Sequence, residues 1–200
     1  MANGLGLALE ARIGNNIATI QEEFKRQPEL LLSFGTSAIV PDSLLESPGL
    51  LAINVHPASP AYPGRDPHHF AVYDGATQYG ATMHMMTRRV DDGAIVDLEL
   101  FAVPAGATPA LLLGMADDAA WKLIARLFMR LAACEKILPL SNVSWGMRKT
   151  TRKMFLELCT VDSQMGESEF IRRDKATKMP GYNNLRIELY GRIFRLQDDA

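Results

Sequence analysis

The sequence predicts an α/β protein built on a mixed sheet, and three observations carry that prediction. Two short runs, 29–34 (ELLLSF) and 50–55 (LLAINV), hold unbroken apolar stretches at 30–32 and 50–53, as strands covered on both faces do. Two later runs, 79–87 and 94–103, are rich in β-formers and separated only by RRVDDG, which suits antiparallel neighbours. The chain then closes on RIELY and RIFRL about Gly191, the pattern of a hairpin. Strand and helix alternate early and the chain turns antiparallel late, which places it in the α/β class.

Each element has a local reason. Residues 15–27 set Ile17, Ile20 and Phe24 at helical spacing and end against Pro28. The first strand, 29–34, stops at Gly35. Pro41-Asp42-Ser43 opens a short helix through Leu45, with proline near its first turn. The second strand ends in Asn54 and His56, two residues apart and therefore on one face of the strand. Pro57, Pro60, Pro63 and Pro67 donate no backbone hydrogen bonds, so the chain from 57 to 67 is a stiff loop. A helical stretch about 70–73 stops at Asp74-Gly75. In the run from 94 to 103, Asp97 and Glu99 alternate with apolar neighbours, as on a half-exposed strand. A long helix over 109–134 carries most of the helical core. The segment from 147 onward is polar, helical at first, and ends in the hairpin. One domain is expected over 1–145, with 146–200 as a helical and hairpin extension of it.

Composition narrows the function. Two hundred residues, 48% hydrophobic and 22% charged, describe one ordinary globular domain. A net charge of -2 argues against nucleic-acid or membrane attraction. Arg148, Lys149, Arg152 and Lys153 form one basic cluster, read first as a solvated helix face. Two cysteines in apolar surroundings fit neither a disulfide framework nor a zinc site, and no run reaches membrane-spanning length. A cytoplasmic location is the expectation. The glycines of NGLGLALEARIG at 3–14 have no hydrophobic strand before them and fail the test for a dinucleotide loop. His84, inside an apolar strand, reads as a core histidine. His68 and His69 read as a helix start beside the proline loop.

The stretch NVHP (54–57) together with YGATMHMMTRRVDDGAIV (79–96) resembles the folate-dependent formyltransferase family. Asn54 and His56 match that family's asparagine and histidine, and Asp91 of VDDG matches its catalytic aspartate. Asp92 stands where a glycine is common. Tyr62-Pro63-Gly64 matches the turn closing the loop after the histidine. SFGTSAIVP (33–41) resembles the strand and turn whose backbone grips the pterin ring. The resemblance implies a three-layer mixed, mostly parallel sheet of the formyltransferase type, with 10-formyltetrahydrofolate as formyl donor. It assigns Thr36, Ser37, Ala38, Ile39, Val40, Thr87, Arg88 and Asp91 to the folate side and requires no metal. Since fewer residues precede the Asn-x-His motif than in full-length relatives, the N-terminal βα units are expected to be reduced.

The chemistry explains the residue types. Attack of an amine on a formamide carbonyl builds negative charge on oxygen, which a fixed neutral donor such as Asn54 stabilises. His56 titrates near neutrality and can bond the same oxygen or pass a proton. Asp91 holds His56 in a productive charge state and accepts the proton the amine loses. The tail 172–196 resembles amino-sugar N-formyltransferases, so the expected partner is a small-molecule amine, with a nucleotide-linked amino sugar as the candidate. The alternatives are a formyltetrahydrofolate deformylase and a catalytically degenerate folate-binding protein. An unprotected sheet edge near 29–34 leads to the expectation of a homodimer, with the N-terminal helix or the C-terminal hairpin in the contact.

Overall fold

The computed structural model describes residues 16–36 and 38–196. The elements run α1 (Ile17–Phe24), β1 (Leu30–Phe34), α2 (Asp42–Leu45), β2 (Leu51–His56), α3 (Pro67–Asp74), β3 (Gln78–Met85), β4 (Ile95–Ala102) and α4 (Pro109–Ala132). After them come α5 (Arg152–Cys159), β5 (Thr160–Val161), α6 (Glu167–Thr177), β6 (Lys178–Met179), β7 (Tyr182–Asn183), β8 (Arg186–Leu189) and β9 (Arg192–Arg195). Asn16 caps α1 by accepting the amide of Thr19 at 3.0 Å. Thr108 caps α4, with Pro109 in the first turn where its missing N–H costs nothing. Gly75 ends α3 at φ 67°, a conformation that glycine enters without strain.

The main sheet has the order β1-β2-β3-β4. It is mixed, as expected, but its parallel part among the described residues is the β1–β2 pair alone. β2–β3 and β3–β4 are antiparallel. β4 follows β3 through a short loop, a connection that only antiparallel neighbours permit. The expected reduction at the N-terminus concerns in part residues 1–15, which lie outside the described residues, as does the 3–14 glycine segment.

The two faces of the sheet do different work. Ile53 and Val55 of β2 and Ala81 and Met83 of β3 point to one side and pack with Ala119, Ala120, Leu123 and Leu127 of α4 in a single buried cluster. Two adjacent alanines let the helix come close to the sheet, and the leucines on either side fill the gap. Asn54, His56, Thr82 and His84 are the alternate residues and face the other way. That face is roofed, among the described residues, by the 57–64 loop and by a strap formed by residues 140–151. Thr82 Oγ1 donates to the Ala58 carbonyl at 2.7 Å, tying the loop to the sheet.

The strap holds the loop in turn. Gly146 N donates to Pro60 O, Thr150 N to Pro63 O and Arg65 N to Thr150 O. Contact is so close that a side chain on Gly64 would meet the Thr150 carbonyl at 2.2 Å, and one on Gly146 the Ala61 carbonyl at 2.6 Å. Pro60 and Pro63 cannot donate and act here only through their carbonyls. The C-terminal hairpin turns on Tyr190-Gly191, both at positive φ, as a two-residue turn requires.

Gly64→Ala should be far more damaging than Gly106→Ala, although both glycines have positive φ. Gly106 has nothing within 4 Å of an added Cβ, so only the backbone term of about 1–2 kcal/mol applies there. At Gly64 the collision with the Thr150 backbone comes on top, for a total of about 3 kcal/mol or more. Urea unfolding of the two variants measures the difference.

Candidate active site

The site is built where β2 ends. Side-chain alternation brings Asn54 of β2 opposite His84 of β3, and His56 opposite Thr82. A register shift at Met83/His84 against β4 re-aims the histidine at this point, as bulges beside functional sites do. Asn54 Nδ2 and His84 Nε2 are 3.0 Å apart, and His84 Nδ1 donates to the Met85 carbonyl at 2.9 Å. His56 Nε2 donates to the Tyr62 carbonyl at 2.9 Å, which leaves Nδ1 as the nitrogen that can gain a proton.

Asp91 closes the group. Its φ is 46°, a left-handed conformation uncommon for a side chain larger than glycine's, and its residue is 4% exposed. Oδ2 accepts the Gly64 amide at 2.9 Å and lies 3.6 Å from His56 Nδ1, while Oδ1 lies 3.4 Å from His84 Nε2. The one Nε2 of His84 therefore faces both the Asn54 amide and the Asp91 carboxylate. Burial pushes the Asp91 carboxyl up. The hydrogen bond from His84, the facing His56 ring and the Gly64 amide outweigh it, and the pKa ends below the ordinary carboxylate range. His56 is shifted down from the ordinary imidazole value: burial is the largest cause, and the Asp91 charge opposes it only in part.

These groups border a cleft of about 510 Å³. Of the positions assigned to the folate side by resemblance, Thr36, Ala38, Ile39, Val40, Thr87, Arg88 and Asp91 all line it; Ser37 lies outside the described residues. Arg88 Nε faces Asp42 Oδ2 across the mouth at 3.3 Å. Asp92 is turned outward toward Arg89, 3.9 Å away.

The sequence reading missed part of this site. His84, read as a core residue, is indeed 2% exposed, but it sits between Asn54 and Asp91. Its place two residues after Thr82 on an alternating strand was the available signal. His68 lines the cleft, as does Lys149, whose Nζ donates to the Val90 carbonyl. The helical spacing expected for the basic cluster is not found at its first members, because α5 begins only at Arg152. Arg148 instead pairs with Asp74. Trp145 stands edge-on to both His84 and His56, and nothing in local sequence placed it there.

A neutral amide, an imidazole and a buried carboxylate at one end of a mixed α/β sheet can do acid–base work on a carbonyl. Comparison gives the family. The family model described as Formyl transferase matches residues 9–126, more than half of the chain, and the chain belongs to that family. It is 38% identical over 78 residues to the methionyl-tRNA formyltransferase of Listeria monocytogenes, a match covering 38% of this chain and 25% of that protein. The chain thus matches about a quarter of the length of these curated relatives. Its fold is similar to a sugar N-formyltransferase from Shewanella, with TM-score 0.74, 20% identity and coverage of 90% of this chain and 72% of that one. It is also similar to the N-formyltransferase from Helicobacter canadensis, solved with folinic acid and dTDP-3-aminofucose. There the TM-score is 0.61, the identity 16%, and 80% of this chain and 58% of that one are covered.

Acid should unfold the protein by way of its histidines. Burial, the largest cause each time, lowers His56 and His69 and pushes His68 down to about 3. The unfolded chain takes up these protons near pH 6.5 and the folded chain does not. Stability is therefore full above that pH and falls below it, by up to about 1.4 kcal/mol per pH unit for each histidine. Asp91, lowered in the fold, adds its own loss only below the ordinary carboxylate range. Urea midpoints between pH 7.5 and 5 should fall with acid, and His56→Gln should flatten that dependence by about one proton.

Proposed function

We propose that the protein is an N-formyltransferase that moves the formyl group of 10-formyltetrahydrofolate to the amine of a small molecule, with a nucleotide-linked amino sugar as the candidate acceptor. The observation that carries this reading is the cluster in which His56 and His84 converge on buried Asp91, with Asn54 bonded to His84, at the wall of the cleft. Family membership supports it, and so does the Helicobacter canadensis relative described with a folate and an amino sugar nucleotide.

The cleft suits a folate. Thr36, residues 38–40 and residues 87–90 all border it, and Val40, Leu45 and Met86 give it apolar walls for a flat ring. When bound, the folate supplies a formyl carbonyl open to attack by an amine. Asn54 gives one N–H to His84 and has the other to aim at an oxygen that gains negative charge, a fixed donor that needs no reorganisation. His56, anchored through Nε2 on Tyr62, is left with Nδ1 for proton traffic. Asp91 stays ionised at neutral pH and stabilises His56 when Nδ1 takes the proton that the amine gives up; that proton then goes to the folate nitrogen as its bond to the formyl carbon breaks.

Substitution separates these roles. Asn54→Ala should lower kcat about a hundredfold. Asp91→Asn should be at least as damaging, while Asp92→Asn, altering an outward-facing side chain, should be mild. Tetrahydrofolate binding, followed by calorimetry, should survive all three. The assay is release of tetrahydrofolate from the formyl donor with and without a panel of amines. Equal release without amine would replace this reading by the deformylase, and tight binding with no turnover by the degenerate binder.

We also propose a homodimer in the cytoplasm, with the C-terminal hairpin in the contact. Leu189, Ile193 and Phe194 are each half-exposed and Tyr190 is fully so, an apolar patch of the kind that marks an interface. Sedimentation should give a dimer, and Phe194→Asp with Tyr190→Asp should give a folded monomer.

A further inference from the structure

We infer that Trp145 is a positioning residue of this site: its indole forms the common wall that holds the rings of His56 and His84 and keeps water from them. The inference rests on the formyltransferase reading for its catalytic consequence, though not for its geometry.

Three contacts support it. The Trp145 ring meets His84 edge-on, with centroids 5.0 Å apart and planes at 85°, and meets His56 at 6.0 Å and 63°. Its Nε1–H donates to the Gly93 carbonyl at 2.8 Å, two residues beyond Asp91 on the same tight loop. One side chain thus touches both histidines and the segment that presents the carboxylate. Its own place is fixed from behind. The next residue, Gly146, donates to Pro60 O and has no room for a Cβ, so the backbone at 145 cannot drift from the proline loop.

The wall matters because of what the two imidazoles face. His56 is met by Asp91 from the 86–94 loop, by His84 from β3 and by Lys149 from the strap. His84 is met by Asp91 and by Asn54. How readily His56 takes a charge beside this carboxylate depends on how much water reaches its ring. A half-buried indole against both rings restricts that water.

The test reads the rings directly. In ring C–H NMR titrations, Trp145→Leu should move the midpoint of His56 upward, toward the ordinary value of about 6.5, as solvent reaches the charged form. Trp145→Phe, which restores a ring, should bring it most of the way back. In the Trp121→Phe protein, Trp145 is the remaining tryptophan, and its emission should fall with acid at the midpoint found by NMR; this arm needs no change at the site. With an acceptor amine in hand, Trp145→Leu should lower kcat about tenfold at pH 7, leave KM for the amine unchanged and move the acid limb of the profile by the NMR shift. An unmoved His56 midpoint in both variants would overturn the inference, even if kcat fell. So would emission indifferent to its titration. Failure of formyl transfer with every amine would instead count against the reading of the activity, leaving the NMR and fluorescence results to decide on the wall.

Discussion

A carboxylate removed from water must be paid for in hydrogen bonds, and Asp91 sets the terms for everything around it. Its oxygens have three neighbours: the Gly64 amide and the imidazoles of His56 and His84. Each partner comes from a different part of the chain, so each constrains a different part. The amide fixes the end of the proline loop. The imidazoles fix the ends of β2 and β3. The left-handed backbone at Asp91 is tolerated because these contacts over-determine it.

Division of labour between the sheet's faces follows from alternation. Residues 53 and 55 build the helix-covered core while 54 and 56 line the cleft, so a slip of one residue in β2 would bury the amide and imidazole under α4. The core side is dominated by dispersion and apolar burial, which specify position tightly and ask for no polar partners. The other side is roofed by backbone carbonyls and amides, which supply the fixed dipoles a reactive site needs. At the sheet's far edge, Arg126 of α4 bonds both Asp97 and Glu99 of β4, pinning the helix against strand residues that point outward.

Much of this was legible in the sequence, for identifiable reasons. The apolar runs, the capping residues and Asp-Gly in the β3–β4 loop act through neighbours in the chain, and the elements they indicate appear within three residues. Asn54 and His56 were readable because alternation and the family resemblance both single them out, and Asp91 because the resemblance does. The strap was not. Trp145, Lys149 and Thr150 reach the site by tertiary contacts across 50 residues or more, as the Trp145–Gly93, Lys149–Val90 and Thr150–Arg65 bonds show. His84 was misjudged because an apolar neighbourhood in sequence says nothing about the strand opposite. Among the described residues the helix between β2 and β3 returns the chain antiparallel, which leaves β1–β2 as the parallel pair of the main sheet.

The bonds between strap and proline loop also bear on when the site comes into being. They join residues up to 87 positions apart, whereas β2, β3 and β4 pair over far shorter intervals. Closing the longer interval costs more chain entropy and is rewarded only once the sheet and α4 are in place to receive it. A growing chain would therefore own its hydrophobic core before it owned a catalytic centre. The same ordering run backwards makes strap release the cheapest partial opening of the molecule, a sub-global unit whose amides at 146 and 150 would exchange with solvent while those of β2 and β3 remained protected.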